Sequence, residues 1–191
     1  MTRFWLVRHA PTHAKAAIGW TDIPADLSDS AALARLDAYL PRPAEIISSD
    51  LSRAAATARA LEAGRVRRVD EPCLREVHFG AWEGLGFDEI AARDPAASKA
   101  FWQAEGATRA PGGESLADVV QRVGKVLDAP READEDIVLV CHMGAILAAL
   151  AHATSAPLPQ VLQFVIAPLS VTRLTRLSPG SWRIEGVNHV L

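Results

Sequence analysis

The stretch FWLVRHAPTHAK, residues 4–15, decides how the chain is read. Phe4, Trp5, Leu6 and Val7 form a short apolar, β-favouring run, dense enough for a strand buried on both faces. The run stops at Arg8 and His9, and Ala10 and Pro11 end it, because proline cannot continue a ladder. Charge at the mouth of a core strand is costly unless it meets an anion. The opening therefore asks which anion Arg8 and His9 meet.

Working outward, five more runs look like strands: 45–48 (EIIS), 66–69 (VRRV), 136–141 (DIVLVC), 170–174 (SVTRL) and 182–187 (WRIEGV). Between them lie alanine-rich helical patterns at roughly 29–40, 52–63, 87–105 (broken at Pro95), 115–128 and 144–154. Strands alternating with helices predict an α/β fold. The expectation is a three-layer α/β/α sandwich with a mostly parallel, roughly six-stranded sheet, its last two strands forming an antiparallel edge. The 191 residues fit a single domain over 1–191.

Composition narrows the function classes. Apolar residues make up 49%, charged residues 23%, and the net charge is −3. No global basic field points to nucleic acid or to an anionic membrane. The local cluster GRVRRVD (64–70) reads as a solvated edge strand. The longest apolar stretch, 137–153, is short for a membrane span and carries Gly144, His142 and His152, so it reads as a strand turning at His142 into a helix. Cys73 and Cys141 are far apart and lack metal-ligand spacing, which suits two free thiols in a reducing compartment. The first strand starts almost at once, leaving no room for a signal peptide. The expected location is cytoplasmic.

In open α/β sheets ligands bind beyond the carboxyl ends of the strands. There the sequence places Arg8-His9, then Ser48, Ser49 and Arg53 after the second strand, and Cys141-His142 after the fourth. Two arginines and two histidines thus fall at three ends able to converge.

LVRHAPT (6–12) resembles the signature of the histidine phosphatase superfamily, which includes the phosphoglycerate mutases. SSDLSRAAATA (48–58), LREVHFGAWEG (74–84), APGGESLADVVQRV (110–123) and VLVCHMGAI (138–146) resemble its further motifs, in order. The resemblance implies phosphoryl transfer through a phosphohistidine, with His9 as nucleophile. A neutral imidazole approaches a phosphate dianion with less repulsion than a carboxylate, provided its other nitrogen holds the proton. Arg8, Arg53 and His142 match the groups that clamp the phosphoryl oxygens, with His142 expected as an imidazolium, and Thr12 is a further phosphate contact. Glu76 matches the general acid that protonates the leaving alkoxide; the alternative is an ion pair with Arg75. Glu83 and Glu114 read as loop-organising residues. No metal and no cofactor is implied.

Two departures stand out. Ala10 replaces the more usual glycine and brings a methyl group towards the phosphate. Lys15 stands where an asparagine is common.

Residues 74–115 most resemble the α-ribazole phosphatase branch, with residues about 80–113 as a cap over the site. Phe79, Trp82, Phe87, Phe101 and Trp102 fall there, either packing the cap or lining the pocket to stack on a substrate base. The expected enzyme is a metal-independent phosphomonoesterase acting on a small molecule, α-ribazole 5′-phosphate in cobalamin biosynthesis. The alternatives are a phosphoglycerate mutase, a broad-specificity sugar phosphatase, or a non-catalytic protein that binds a phosphorylated ligand. Mutases carry a longer insertion between the acid and the second histidine.

Overall fold

The computed structural model describes residues 1–103, 106–131 and 134–191. Its chain order is β1 (Thr2–Arg8), α1 (Ser30–Tyr39), β2 (Glu45–Ser48), α2 (Ser52–Ala60), β3 (Val66–Arg67), α3 (Phe87–Arg93), α4 (Pro95–Gln103), α5 (Leu116–Asp128), β4 (Asp136–Cys141), α6 (Met143–Thr154), α7 (Leu158–Val161), β5 (Val171–Ser178) and β6 (Ser181–His189), with 3₁₀ turns at Pro72–Leu74 and Gly80–Trp82. The last two residues of the helical stretch expected over 87–105 lie outside the described residues.

Six strands form one sheet in the order β3-β2-β4-β1-β5-β6. Alternation along each strand sends side chains to two faces. On one face Phe4, Leu6, Ile47, Ile137 and Leu139 pack under α5 and α6. On the other Val7, Ile46, Val138 and Val140 meet α1 and α2 through Leu36, Ala54 and Ala58. This is the three-layer sandwich. The apolar stretch 137–153 is explained by position: β4 is central, and residues 145 to 151 of α6 are all buried. Among the described residues no helix is long and apolar enough to cross a membrane.

The sheet is mixed rather than mostly parallel. β2–β3, β2–β4 and β1–β4 are parallel, whereas β1–β5 and β5–β6 are antiparallel. The expected edge thus reaches one strand further in, to the partner of β1. After α6 descends, the segment from Ser155 to Ser170 climbs back to the carboxyl end of β1, where Leu169 N–H donates to the Arg8 carbonyl at 3.0 Å and Arg8 N–H to that of Ser170 at 3.2 Å. β5 therefore starts at the top and must run downwards. The strand expected over 66–69 is shortened to two residues, because beyond Arg67 the chain turns away to solvent at exposed Val69.

The register fixes the site. Arg8 pairs with Cys141 across β1 and β4. His9 N–H then donates to the Cys141 carbonyl (3.0 Å) and Ser49 N–H to the Val140 carbonyl (3.0 Å), so three strand ends are stitched side by side.

Candidate active site

His9 leaves β1 into a buried pocket, only 6% exposed. Its Nδ1 lies 2.7 Å from the Ala10 carbonyl. A carbonyl only accepts, so Nδ1 carries the proton and Nε2 keeps its lone pair. The loop is held by α2: Ala10 N–H donates to Thr57 Oγ1 (3.0 Å), whose hydroxyl donates to the Arg53 carbonyl (2.7 Å). Burial pushes the His9 pKa down to about 3; the bond to Ala10 opposes this, while Arg53 and Arg8 add to it. The imidazole is neutral across the physiological range. Ala10 is fully buried and is not among the residues lining the site's cavity.

Arg8 and Arg53 stand with this histidine at the cavity, each donating to backbone carbonyls. Arg8 Nη1 donates to the Ile166 carbonyl at 2.5 Å, and among the described residues its buried Nε has no partner. Arg53 is 1% exposed and donates from Nη1 to Thr21 O (3.0 Å) and from Nη2 to Gly19 O (2.6 Å). Burial lowers both guanidinium pKa values, against the opposing effect of Glu76.

His142, at the amino end of α6, packs edge-on against His9 with ring centroids 5.0 Å apart. It is wholly buried, and among the described residues neither ring nitrogen has a hydrogen-bond partner. Burial, then His9, Arg53, Arg122 and Arg8, hold its pKa well below the ordinary histidine range. The charged imidazolium is thus disfavoured in the site as it stands. A cation buried among cations is disfavoured until an anion arrives.

Glu76 lines the same cavity. Its Oε1 accepts from Val77 N–H (2.9 Å) and its Oε2 from Gly144 N–H (3.2 Å), next to His142. The alternative ion pair with Arg75 does not form. Arg75 turns away to Asp50 (2.7 Å) and stacks over Trp20 at 4.6 Å.

Arg8, His9, Arg53 and Glu76 line a cavity of about 250 Å³ together with Thr12 and exposed Lys15; His142 is wholly buried and is not among the lining residues. The lining also includes apolar Phe79, Phe87, Trp102, Leu116 and Leu147. The two alternatives for the aromatic residues divide between them. Trp82 and Phe101 are fully buried and stack edge-on at 5.6 Å, as core does; Phe79, Phe87 and Trp102 line the pocket. Among the described residues no cluster of three or more His, Cys, Asp or Glu side chains is placed to hold a metal ion.

Glu83 accepts from the amides of Gly19, Trp20, Thr21 and Phe79 and from the Thr21 hydroxyl, which fixes the loop that Arg53 grips. Glu114 accepts from His78 N–H (2.9 Å) and from Arg122. Sequence reading missed Arg122. Its signal was there: three residues after buried Val119 and four before buried Val126, it interrupts the apolar stripe of α5 with a charge.

The family model for the histidine phosphatase superfamily (branch 1) matches residues 4–190. A glucosyl-3-phosphoglycerate phosphatase of Mycobacterium tuberculosis is 44% identical over 125 residues, covering 59% of this chain and 54% of that protein. The adenosylcobalamin/alpha-ribazole phosphatase of Salmonella typhimurium is 28% identical over 172 residues, covering 85% and 84%. A bifunctional protein of M. tuberculosis is 31% identical over 184 residues, covering 86% of this chain but 44% of its own length, so the chain spans less than half of that relative. The solved structure of Bacillus stearothermophilus YhfR superposes with a TM-score of 0.88 at 28% identity, covering 100% of this chain and 98% of that one.

Proposed function

The chain belongs to the histidine phosphatase superfamily, and from that premise we propose that it is a metal-independent phosphomonoesterase working through phosphohistidine at His9. The observation that carries this is the unprotonated Nε2 of a neutral His9, set with half-buried Arg8 and buried Arg53 at a cavity. The lone pair of Nε2 attacks phosphorus; the P–N bond forms as the P–O bond to the leaving alcohol breaks. The departing oxygen takes the proton of the Glu76 carboxyl. Water then attacks the phosphohistidine, gives a proton back to Glu76, and the P–N electrons return to Nε2. Charge spreads over the equatorial oxygens, where Arg8 and Arg53 donate from fixed positions. His142 donates from behind, and the dianion beside it raises its pKa towards the charged form. Thr12 adds a hydroxyl.

Residues 1–191 act as one domain, with residues about 80–113 as a cap over the pocket; the enzyme is cytoplasmic, needs no cofactor and engages neither nucleic acid nor membrane. Its substrate is α-ribazole 5′-phosphate. Two observations support this: the wall formed by Phe79, Phe87 and Trp102, which suits a flat apolar base better than a sugar's hydroxyls, and the Salmonella relative. The 44% identity to the mycobacterial enzyme favours a second reading, glucosyl-3-phosphoglycerate. Steady-state assays on both, with 3-phosphoglycerate as reference, decide between them. The first reading predicts kcat/KM for α-ribazole 5′-phosphate above 3-phosphoglycerate by more than the roughly 10- to 200-fold of one small apolar contact. A preference for glucosyl-3-phosphoglycerate overturns it and leaves the phosphatase chemistry intact.

A further inference from the structure

The segment that carries Glu76 is held by a side chain that never reaches the cavity wall. Arg122, on α5, is largely buried, and a single guanidinium binds three successive points of that segment. Nη1 donates to the carbonyls of Cys73 (2.8 Å) and Arg75 (2.6 Å), and Nη2 donates to the carbonyl of Glu76 itself (2.8 Å). The same fork meets Glu114 twice, Nε to Oε1 at 2.8 Å and Nη2 to Oε2 at 3.0 Å. Glu114 in turn accepts from His78 N–H at 2.9 Å. Residues 73 to 78 are thus pinned at four backbone atoms by one ion pair whose side chains are only 13% and 17% exposed. On the far side Trp20 Nε1 also donates to the Glu76 carbonyl (2.9 Å).

What this holds in place is the direction of the Glu76 side chain. Its carboxyl docks on Val77 N–H and on Gly144 N–H, the latter on the helix that begins after His142. We propose that Arg122, with Glu114, is a positioning residue for proton transfer: it fixes the Glu76 backbone so that the carboxyl faces the leaving oxygen. This rests on Glu76 being the general acid. Arg122 is suited to the task where lysine is not, because only a planar fork reaches three carbonyls and a carboxylate together.

A merely structural arginine slows every substrate alike when removed. A residue acting through the acid slows only those whose leaving group needs a proton. The experiment compares benzyl phosphate with p-nitrophenyl phosphate, which are similar in size, by kcat/KM, since that ratio reports the step in which the ester bond breaks. Arg122→Met should lower kcat/KM for benzyl phosphate on the order of 10²-fold, the effect of displacing a catalytic group by about 1 Å, and for p-nitrophenyl phosphate by less than about threefold. Arg122→Lys should not restore the loss. In a Glu76→Gln background, Arg122→Met should add nothing further on benzyl phosphate, because the group it positions is gone.

Equal losses on both substrates, or full additivity in the double variant, would overturn the proposal. If Arg122→Met does not fold, Glu114→Gln carries the test: it keeps an acceptor for His78 and removes the charge that orients the fork. About tenfold loss on benzyl phosphate alone supports positioning; an equal loss, or none, refutes it. Glu76→Gln by itself separates the two layers. If it slows both esters equally, the acid assignment falls and the positioning role with it. If it is selective and Arg122→Met is not, only the positioning role falls.

Discussion

Gly144→Ala tests the site with one methyl group. Gly144 is the second residue of α6 and its amide donates to Glu76 Oε2. A Cβ built there would stand 2.1 Å from Glu76 Oε1 and 2.8 Å from Val77 Cγ2, where ordinary contact starts at 3.4 Å. The carboxyl must therefore retreat by more than about 1 Å, a displacement that costs on the order of 10²-fold when the group does chemistry. At 1.36 kcal/mol per tenfold that is roughly 2.7 kcal/mol of lost transition-state stabilisation. Stability should not follow. The crowded atoms are side-chain ends rather than backbone, and alanine in a helix gains up to about 1 kcal/mol over glycine. The expected outcome is a variant with near-native Tm, kcat/KM for benzyl phosphate down about 10²-fold, and p-nitrophenyl phosphate nearly unaffected. Undiminished turnover of benzyl phosphate in a folded Gly144→Ala protein would refute the placement of Glu76 as acid.

Three further outcomes are expected. His9 has a folded pKa of about 3 against about 6.5 unfolded; below pH 6.5 the unfolded chain takes up a proton that the native one refuses. Stability should thus fall as pH drops from 6.5 towards 3, on the order of 2 kcal/mol from His9 at pH 5; Tm measured at pH 7 and pH 5 should show a smaller drop for His9→Gln than for wild type, and an identical drop would contradict the buried neutral imidazole. Turnover should survive prolonged EDTA, because in the proposed mechanism the guanidiniums of Arg8 and Arg53 take the place of a metal ion's charge; loss of activity restored by a divalent cation would overturn metal independence. Phe101→Ala removes a fully buried ring stacked edge-on with Trp82 and Trp102 and should cost about 3–5 kcal/mol in chemical denaturation; a cost under about 1 kcal/mol would mean that these aromatic residues do not form a packed core.

The sheet-forming strands and the longer helices were legible because each carries its own signal: β-branched runs for strands and alanine-rich periodicity for helices. The convergence of Arg8, His9, Arg53 and His142 was legible too, since the carboxyl ends of neighbouring strands must meet. What sequence did not disclose depends on distant partners. The antiparallel entry of β5 follows from where Ser155 to Ser170 leads the chain, and no local pattern encodes that. The neutral state of His142 comes from complete burial among cations, which its neighbours in sequence do not reveal. Arg122 acts on carbonyls 46 to 49 residues away, so nothing near it in sequence ties it to Glu76. Of the aromatic residues, only packing could tell Trp82 and Phe101 in the core from Phe87 and Trp102 at the pocket.

The central claim is that the lone pair on His9 Nε2 becomes bonded to phosphorus. Rapid acid-free quenching of enzyme mixed with ³²P-labelled p-nitrophenyl phosphate, followed by peptide mapping, reads this directly. The account predicts a base-stable, acid-labile label on the peptide containing His9, present in wild type and absent from His9→Ala. Label that persists in His9→Ala, or that maps to the peptide containing His142, would contradict it.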